Sequence, residues 1–250
     1  MGRILIAAWC VAAFACAQTF SLETALASAD GNRKALETAI AAVSGEERAS
    51  MEWLVARMPV HDLRTLSADY LVENVLAAHV AMKRAPWSAR VDKALFLDAV
   101  LPYASVTERR DRWRADFMNR FTPLVASAKT PGEAATLLNN RIFTDLKVKY
   151  STKRRRADQG PYESIETGLA SCTGLSVLLI DACRAVGVPA RFVGTPLWAD
   201  GSGNHSWVEI WDGEWKFTGA AEPTGERLNE AWFTDRAATA IVGDAKRAIF

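Results

Sequence analysis

The chain is poor in the residues that build metal centres, with four cysteines and three histidines in 250 positions. No two of them stand at a zinc-ligand spacing, so the sequence offers no metal site. Neither sign of charge prevails, 30 Lys plus Arg against 29 Asp plus Glu. No global field therefore points to nucleic acid or to an anionic bilayer as partner. A glycine-rich phosphate loop, a dinucleotide fingerprint, internal repeats and low-complexity linkers are all missing. Beyond residue 17 no apolar run approaches the roughly 20 residues of a membrane helix. The expectation is a chain with no cofactor, no nucleic-acid partner and no integral membrane span.

The N-terminus is the first positive signal. Met1-Gly2-Arg3 is a short basic start, Ile4 to Ala17 is an unbroken apolar or small run, and Ala15-Cys16-Ala17 supplies an A-x-A arrangement before Gln18. Residues 1–17 are predicted to be a secretory signal peptide, which makes the mature protein periplasmic or secreted. Lipoprotein processing at Cys16 is the weaker alternative, because Ala13-Phe14-Ala15 departs from a leucine-led signal. Cleavage would remove Cys10 and Cys16 and leave Cys172 and Cys183. Both fall on one predicted helix eleven residues apart, hence about 16 Å between Cα atoms. A disulfide needs Cα atoms within about 7 Å, so two free thiols are expected.

Residues 18–130 read as a helical region. Asn32 opens one helix, Met51 to Met58 forms another, and Ser67 starts a longer one whose apolar stripe runs through Leu71, Val75 and His79. Val91–Leu101 and Thr107–Val125 are predicted to add two more. His61 falls in a turn and His79 on an apolar face, both read as structural. Residues 131–250 read differently. Thr130-Pro131-Gly132-Glu133 caps a helix reaching Leu146. The basic run Lys153-Arg154-Arg155-Arg156 reads as a solvated loop, or as a cleft border that attracts substrate carboxylates. Ser171 to Val186 is an apolar helix stopped by Gly187 and Pro189. Residues 190–194 form a strand, and 206–211 and 214–218 form a hairpin around a two-residue Asp212-Gly213 turn. The fold class is α+β, a helical region followed by a nucleophile helix packed on an antiparallel sheet.

The candidate chemistry lies in this second half. A cysteine attacks as its thiolate, and a helix N-terminus favours that form. Cys172 stands where the apolar helix begins, after Gly168-Leu169-Ala170-Ser171, and its neighbouring N–H groups could hold an oxyanion. Cys183, three turns deeper among apolar residues, reads as a core thiol. His205, at the start of the first hairpin strand, is the natural base and ion-pair partner of Cys172.

The segments Glu166-Thr167-Gly168-Leu169-Ala170-Ser171-Cys172-Thr173-Gly174-Leu175-Ser176, Cys183-Arg184-Ala185-Val186-Gly187-Val188-Pro189-Ala190-Arg191 and Asn204-His205-Ser206-Trp207-Val208-Glu209 together resemble the transglutaminase-like superfamily core from about Asn140 to Glu222. The resemblance implies a papain-like arrangement with Cys172 as nucleophile and His205 as base. It also implies an aspartate on the next strand, which this sequence lacks in Phe217-Thr218-Gly219-Ala220-Ala221-Glu222-Pro223. With a two-residue turn, His205 would face Ala220 and Glu222 would share that face, so Glu222 is the expected third member. Asn204 or a backbone carbonyl could orient His205 instead. Gln159 is the preferred further oxyanion donor, with Asn140 and Trp207 as alternatives. The resemblance implies acyl transfer on a peptide or protein, cell-wall stem peptides among the candidates. The outcome is hydrolysis, protein crosslinking, or binding alone if the triad has decayed.

Overall fold

The computed structural model describes residues 20–250; the predicted signal peptide, with Cys10 and Cys16, lies outside them. Six helices come first: α1 (Leu22–Ser28), α2 (Arg33–Ala41), α3 (Gly45–Val55), α4 (Val60–Thr65), α5 (Ala68–Arg84) and α6 (Lys93–Ala99). They enclose an apolar cluster that includes Leu36, Met51, Leu71, Val75 and Leu101. Capping follows the sequence: Ser67 accepts from the Tyr70 N–H and starts α5. None of the described helices is long and apolar enough to cross a membrane.

The predicted helix over Thr107–Val125 is a correction. Only α7 (Arg114–Phe121) is α-helical there. The preceding turn satisfies its backbone with side chains, as Glu108 accepts from the N–H groups of Ser105 and Val106 at 2.6 and 2.7 Å. Arg110 then bonds the Glu108 carbonyl and the buried Asp62 carboxylate. Such local side-chain bonds offer the backbone an alternative to the helical ladder.

After α7 come α8 (Pro131–Asp145), β1 (Lys149–Tyr150), α9 (Pro161–Thr167), β2 (Leu169–Ala170) and α10 (Cys172–Ala185). The strands β3 (Ala190–Thr195), β4 (His205–Trp211) and β5 (Trp215–Thr218) follow, and then α11 (Thr234–Ala237). The Thr130 cap with Pro131 and Glu133 forms as read, Thr130 Oγ1 accepting from the Glu133 N–H at 3.2 Å. A parallel β1–β2 pair and the three-stranded antiparallel sheet β3-β4-β5 make up the strands.

α10 is buried along nearly its whole length. Its apolar residues lie on every side because it is the central rod of the larger core, and it also buries Ser176, Asp181 and Arg184. Leu175, Leu178, Leu179, Ala182 and Cys183 contribute from α10, Leu138 and Ile142 from α8, and Val208 and Ile210 from β4. Trp113, Phe117, Phe121 and Val125 join the same cluster, so this core crosses residue 130. Gly187 ends α10 at φ +78°, and a Cβ there would come within 2.9 Å of the Ala81 carbonyl of α5. Only glycine permits both the turn and that approach. Its carbonyl accepts from Trp87 Nε1 at 2.7 Å, tying the helical region to the end of α10.

The β4–β5 hairpin differs from the predicted one by one residue. Trp211 pairs with Trp215, so the loop is Asp212-Gly213-Glu214, with the Asp212 N–H bonded to the Glu214 carbonyl and Gly213 at φ +84°.

Candidate active site

The candidate site lies where the N-terminus of α10 meets the start of β4. Ser171 caps α10: its Oγ accepts from the Gly174 N–H at 3.1 Å and donates to the Ala157 carbonyl. Cys172 is the first helical residue and is half-buried. The N–H groups of Cys172 and Thr173 have no partner within the helix, since a helix leaves its first donors unpaired. Cys183 is a free thiol as well, fully buried, and burial pushes its pKa upward. The two residues that follow the predicted pair touch, Thr173 Oγ1 lying 3.2 Å from Ser206 Oγ.

β4 divides its side chains between two environments. Val208 and Ile210 face the α10 core. His205 and Trp207 turn the other way, into an aromatic cluster with Trp198 and Phe233. The imidazole centroid lies 4.7 Å from Phe233, 4.9 Å from Trp232 and 6.0 Å from Trp198. Burial among these rings lowers the His205 pKa to about 4 and is its only cause. His205 is therefore neutral at physiological pH in this arrangement. Burial inside this aromatic wall disfavours the charged imidazole of the predicted thiolate–imidazolium pair, because that form would lose its hydration.

Glu222 reaches this histidine by a route other than strand alternation. Pairing of β4 with β5 stops at Val208–Thr218. The chain then turns, the Glu222 N–H bonding the Gly219 carbonyl at 3.2 Å and Ala221 adopting φ +62°. Glu222 Oε2 ends 4.0 Å from His205 Nε2, beyond a direct hydrogen bond, and among the described residues Nε2 has no other partner. Trp232 Nε1 donates to the same Oε2 at 2.9 Å. Burial raises the Glu222 pKa, and the Trp232 bond opposes that rise.

Asn139 of α8, which the sequence reading passed over, fixes this turn. Its Nδ2 donates to Thr218 Oγ1 at 3.1 Å and to the Gly219 carbonyl at 2.9 Å, and its Oδ1 accepts from the Ala221 N–H at 3.0 Å. The available signal was an amide on the buried face of an otherwise apolar helix. The neighbouring Asn140 faces outward and donates to the Gly225 carbonyl. Gln159 is fully buried beside the base of α10, where Nε2 donates to Thr167 Oγ1 at 3.3 Å and to the Leu169 carbonyl at 3.1 Å. Both amide hydrogens are thus engaged in holding β2, which leads into Ser171 and Cys172. Its Oε1 is buried without a partner among the described residues. Among the described residues, no group of three or more His, Cys, Asp or Glu could hold a metal ion.

The neutral state of His205 has a stability consequence. Above pH 6.5, its ordinary value, the imidazole is neutral in both folded and unfolded chains. Below that, the unfolded chain gains a proton that folded His205 refuses until about pH 4. Stability is therefore lost as the pH falls across that window. Between pH 7 and 5 the loss from this residue is expected to be at most about 2 kcal/mol. Urea unfolding at both pH values should show it in the parent and not in His205→Phe, which keeps an aromatic ring in the cluster. The same pH dependence in both chains would contradict the assignment.

A crystal structure of a proposed cysteine protease from Cytophaga hutchinsonii is similar at 17% identity and TM-score 0.37, over 43% of this chain and 37% of that one. The chain thus spans little more than a third of that protein's length. No curated protein matches. Residues 119–219 match the model of the transglutaminase-like superfamily, a span that contains Cys172 and His205 and ends before Glu222. Across those residues the chain carries a transglutaminase-like superfamily domain.

Proposed function

We propose that the protein is an exported cysteine enzyme that hydrolyses peptide or amide bonds through Cys172 and His205. The observation that carries this reading is the meeting of the α10 N-terminus with the start of β4, Thr173 against Ser206, inside a transglutaminase-like domain. Cys172 Sγ attacks the substrate carbonyl carbon while His205 accepts the thiol proton. The His205 Nε2 side is turned to Glu222, so Nδ1 is the atom left to take that proton. Glu222, 4.0 Å from Nε2 in this structure, would position the imidazole and select the Nε2–H tautomer on closing to hydrogen-bond distance, as carboxylates commonly do for histidine. The free N–H groups at Cys172 and Thr173 hold the developing oxyanion. The leaving amine takes the proton from His205, and water resolves the thioester by the reverse assistance. Gln159 serves the same oxyanion only if it exchanges its bond to Leu169 for the substrate.

Export rests on the basic-apolar segment 1–17. A preference for carboxylate-bearing peptides rests on the basic loop. β1 pairs with β2, and the Ser151 N–H bonds the Ala170 carbonyl, bringing residues 153–156 next to the entry of α10. Arg156 in that loop is held by Glu163 at 2.6 Å.

The discriminating experiment is product analysis by mass spectrometry on a peptide library with a labelled primary amine present. Cleaved fragments that disappear with Cys172→Ala are expected. Dominant amine incorporation would instead make the protein a crosslinking transglutaminase. Tight peptide binding without either product would make it a binding module.

A further inference from the structure

We infer that the free edge of β3 at Phe192–Gly194 is a main-chain docking site for an extended polypeptide substrate, held in this structure by the chain's own residues 244–250. The inference rests on the hydrolase reading for what the docked chain is for, and on geometry alone for the site.

β3 is an edge strand, its other neighbour being β4. Gly194 exchanges two main-chain hydrogen bonds with Phe250, its N–H to the Phe250 carbonyl at 3.1 Å and its carbonyl from the Phe250 N–H at 3.0 Å. Such reciprocal bonding is the signature of an antiparallel pair. Nearby, the Leu197 N–H bonds the Lys246 carbonyl at 2.9 Å. The segment is not a full fourth strand, because by strand alternation Phe192 presents the next outward N–H and carbonyl, and no described segment pairs with them. Pro196 has no N–H and limits pairing in the other direction. The edge is thus a short template that accepts polypeptide main chain irrespective of side chains, which is recognition by strand addition.

Its position gives the pairing a function. A cavity of about 620 Å³ runs along this edge, lined by Gly194, Thr195, Asn204, His205, Ser206 and Phe250. Cys172 is not in that lining, but Ser206 touches Thr173, the residue after it. A polypeptide seated on Gly194 and Phe192 lies along the cavity that His205 lines. Phe250 itself is exposed, 63% of its surface accessible, so the pairing is main-chain and not a buried anchor.

The test uses the full chain carrying Cys172→Ala, with and without Phe250→Pro, since proline cannot donate to Gly194. A second variant, Ala248→Glu, puts a charge at a buried position of the same segment and serves if proline disturbs the fold. The probes are an acetylated, amidated peptide of residues 244–250 and its analogue N-methylated at the phenylalanine. In either variant, amide exchange at Gly194 should rise at least about tenfold while Val193 and Thr195, paired with β4, keep their rates. The peptide should shift the Gly194 and Phe192 amide resonances and bind at least about tenfold tighter than to the parent, and N-methylation should abolish binding. Equal affinity for parent and variants, indifference to N-methylation, or shifts away from β3 would overturn the site. If these marks are met while Cys172 of the parent proves inert, the docking edge stands and only the catalytic reading falls.

Discussion

Replacing Cys172 by alanine is expected to lower peptide hydrolysis by at least about 10³-fold, and His205→Ala by a similar factor. The double variant should be scarcely worse than either, because groups that act in one step are not additive. The reasoning follows from the division of labour at the site. α10 delivers a thiol with free N–H groups beside it, and β4 delivers an imidazole that is neutral and able to accept a proton. Removing the sulfur removes the bond-forming atom. Removing the imidazole leaves the thiol proton without an acceptor. Because burial holds His205 at about 4, the acid limb of activity should lie well below the ordinary histidine range. Initial rates of fragment formation from pH 4 to 8 check this, with Cys183→Ala as a variant expected to retain activity. A limb near 6.5 would show that the aromatic wall opens before reaction.

The largest stability effect is expected at Arg114. Its guanidinium is buried and donates to the carbonyls of Val100, Leu101 and Pro102 at 3.0, 3.1 and 2.9 Å. It also bonds Asn74 Oδ1 at 2.7 Å and the Arg184 carbonyl at 3.3 Å. These partners belong to α5, to the chain leaving α6 and to α10, so one side chain ties the helical region to the central helix. Burial, then repulsion from Arg184, lowers its pKa to about 9, which leaves it charged at neutral pH. Arg114→Met removes the cation and strands several buried carbonyls. The expected cost is about 3–5 kcal/mol. A typical domain has about 5–15 kcal/mol in all, so this variant should be close to unfolding. Guanidinium or thermal unfolding measures it, and a loss below about 1 kcal/mol would mean that water replaces the guanidinium. Arg114→Lys should recover part of the loss, because an ammonium is charged but cannot span carbonyls arranged for a planar fork.

The parts of this fold that were legible in the sequence are those with strong local signals. α10 announces itself through its apolar content and the Gly187 and Pro189 stop, and α8 through Thr130-Pro131 and Glu133. The hairpin was legible as a hairpin, but its register was not. Asp-Gly suggests a two-residue turn, whereas the bond between Asp212 and Glu214 makes it three. Glu222 nevertheless arrives beside His205, by the turn that Asn139 holds and not by the alternation that singled it out. The loop before α7 was read as helix because its Arg and Asp residues have no visible alternative partner in one dimension. In three dimensions Arg110 finds Asp62 and Glu108, and Asp111 accepts from Arg109 and from the Tyr162 N–H. Trp198, Trp232 and Phe233 carry no periodicity that would bring them to His205, so its neutrality could not be anticipated. The same holds for residues 244–250 on the β3 edge.

The most direct test of the account is the rate of iodoacetamide labelling at Cys172 in the full chain, measured from pH 4 to 9 with Cys183→Ala as background and His205→Ala as comparison. The account predicts labelling that falls at least about tenfold at pH 7 when His205 is removed. Labelling that climbs steadily to the free-thiol range near pH 8.5, with no difference between the two chains, would contradict it.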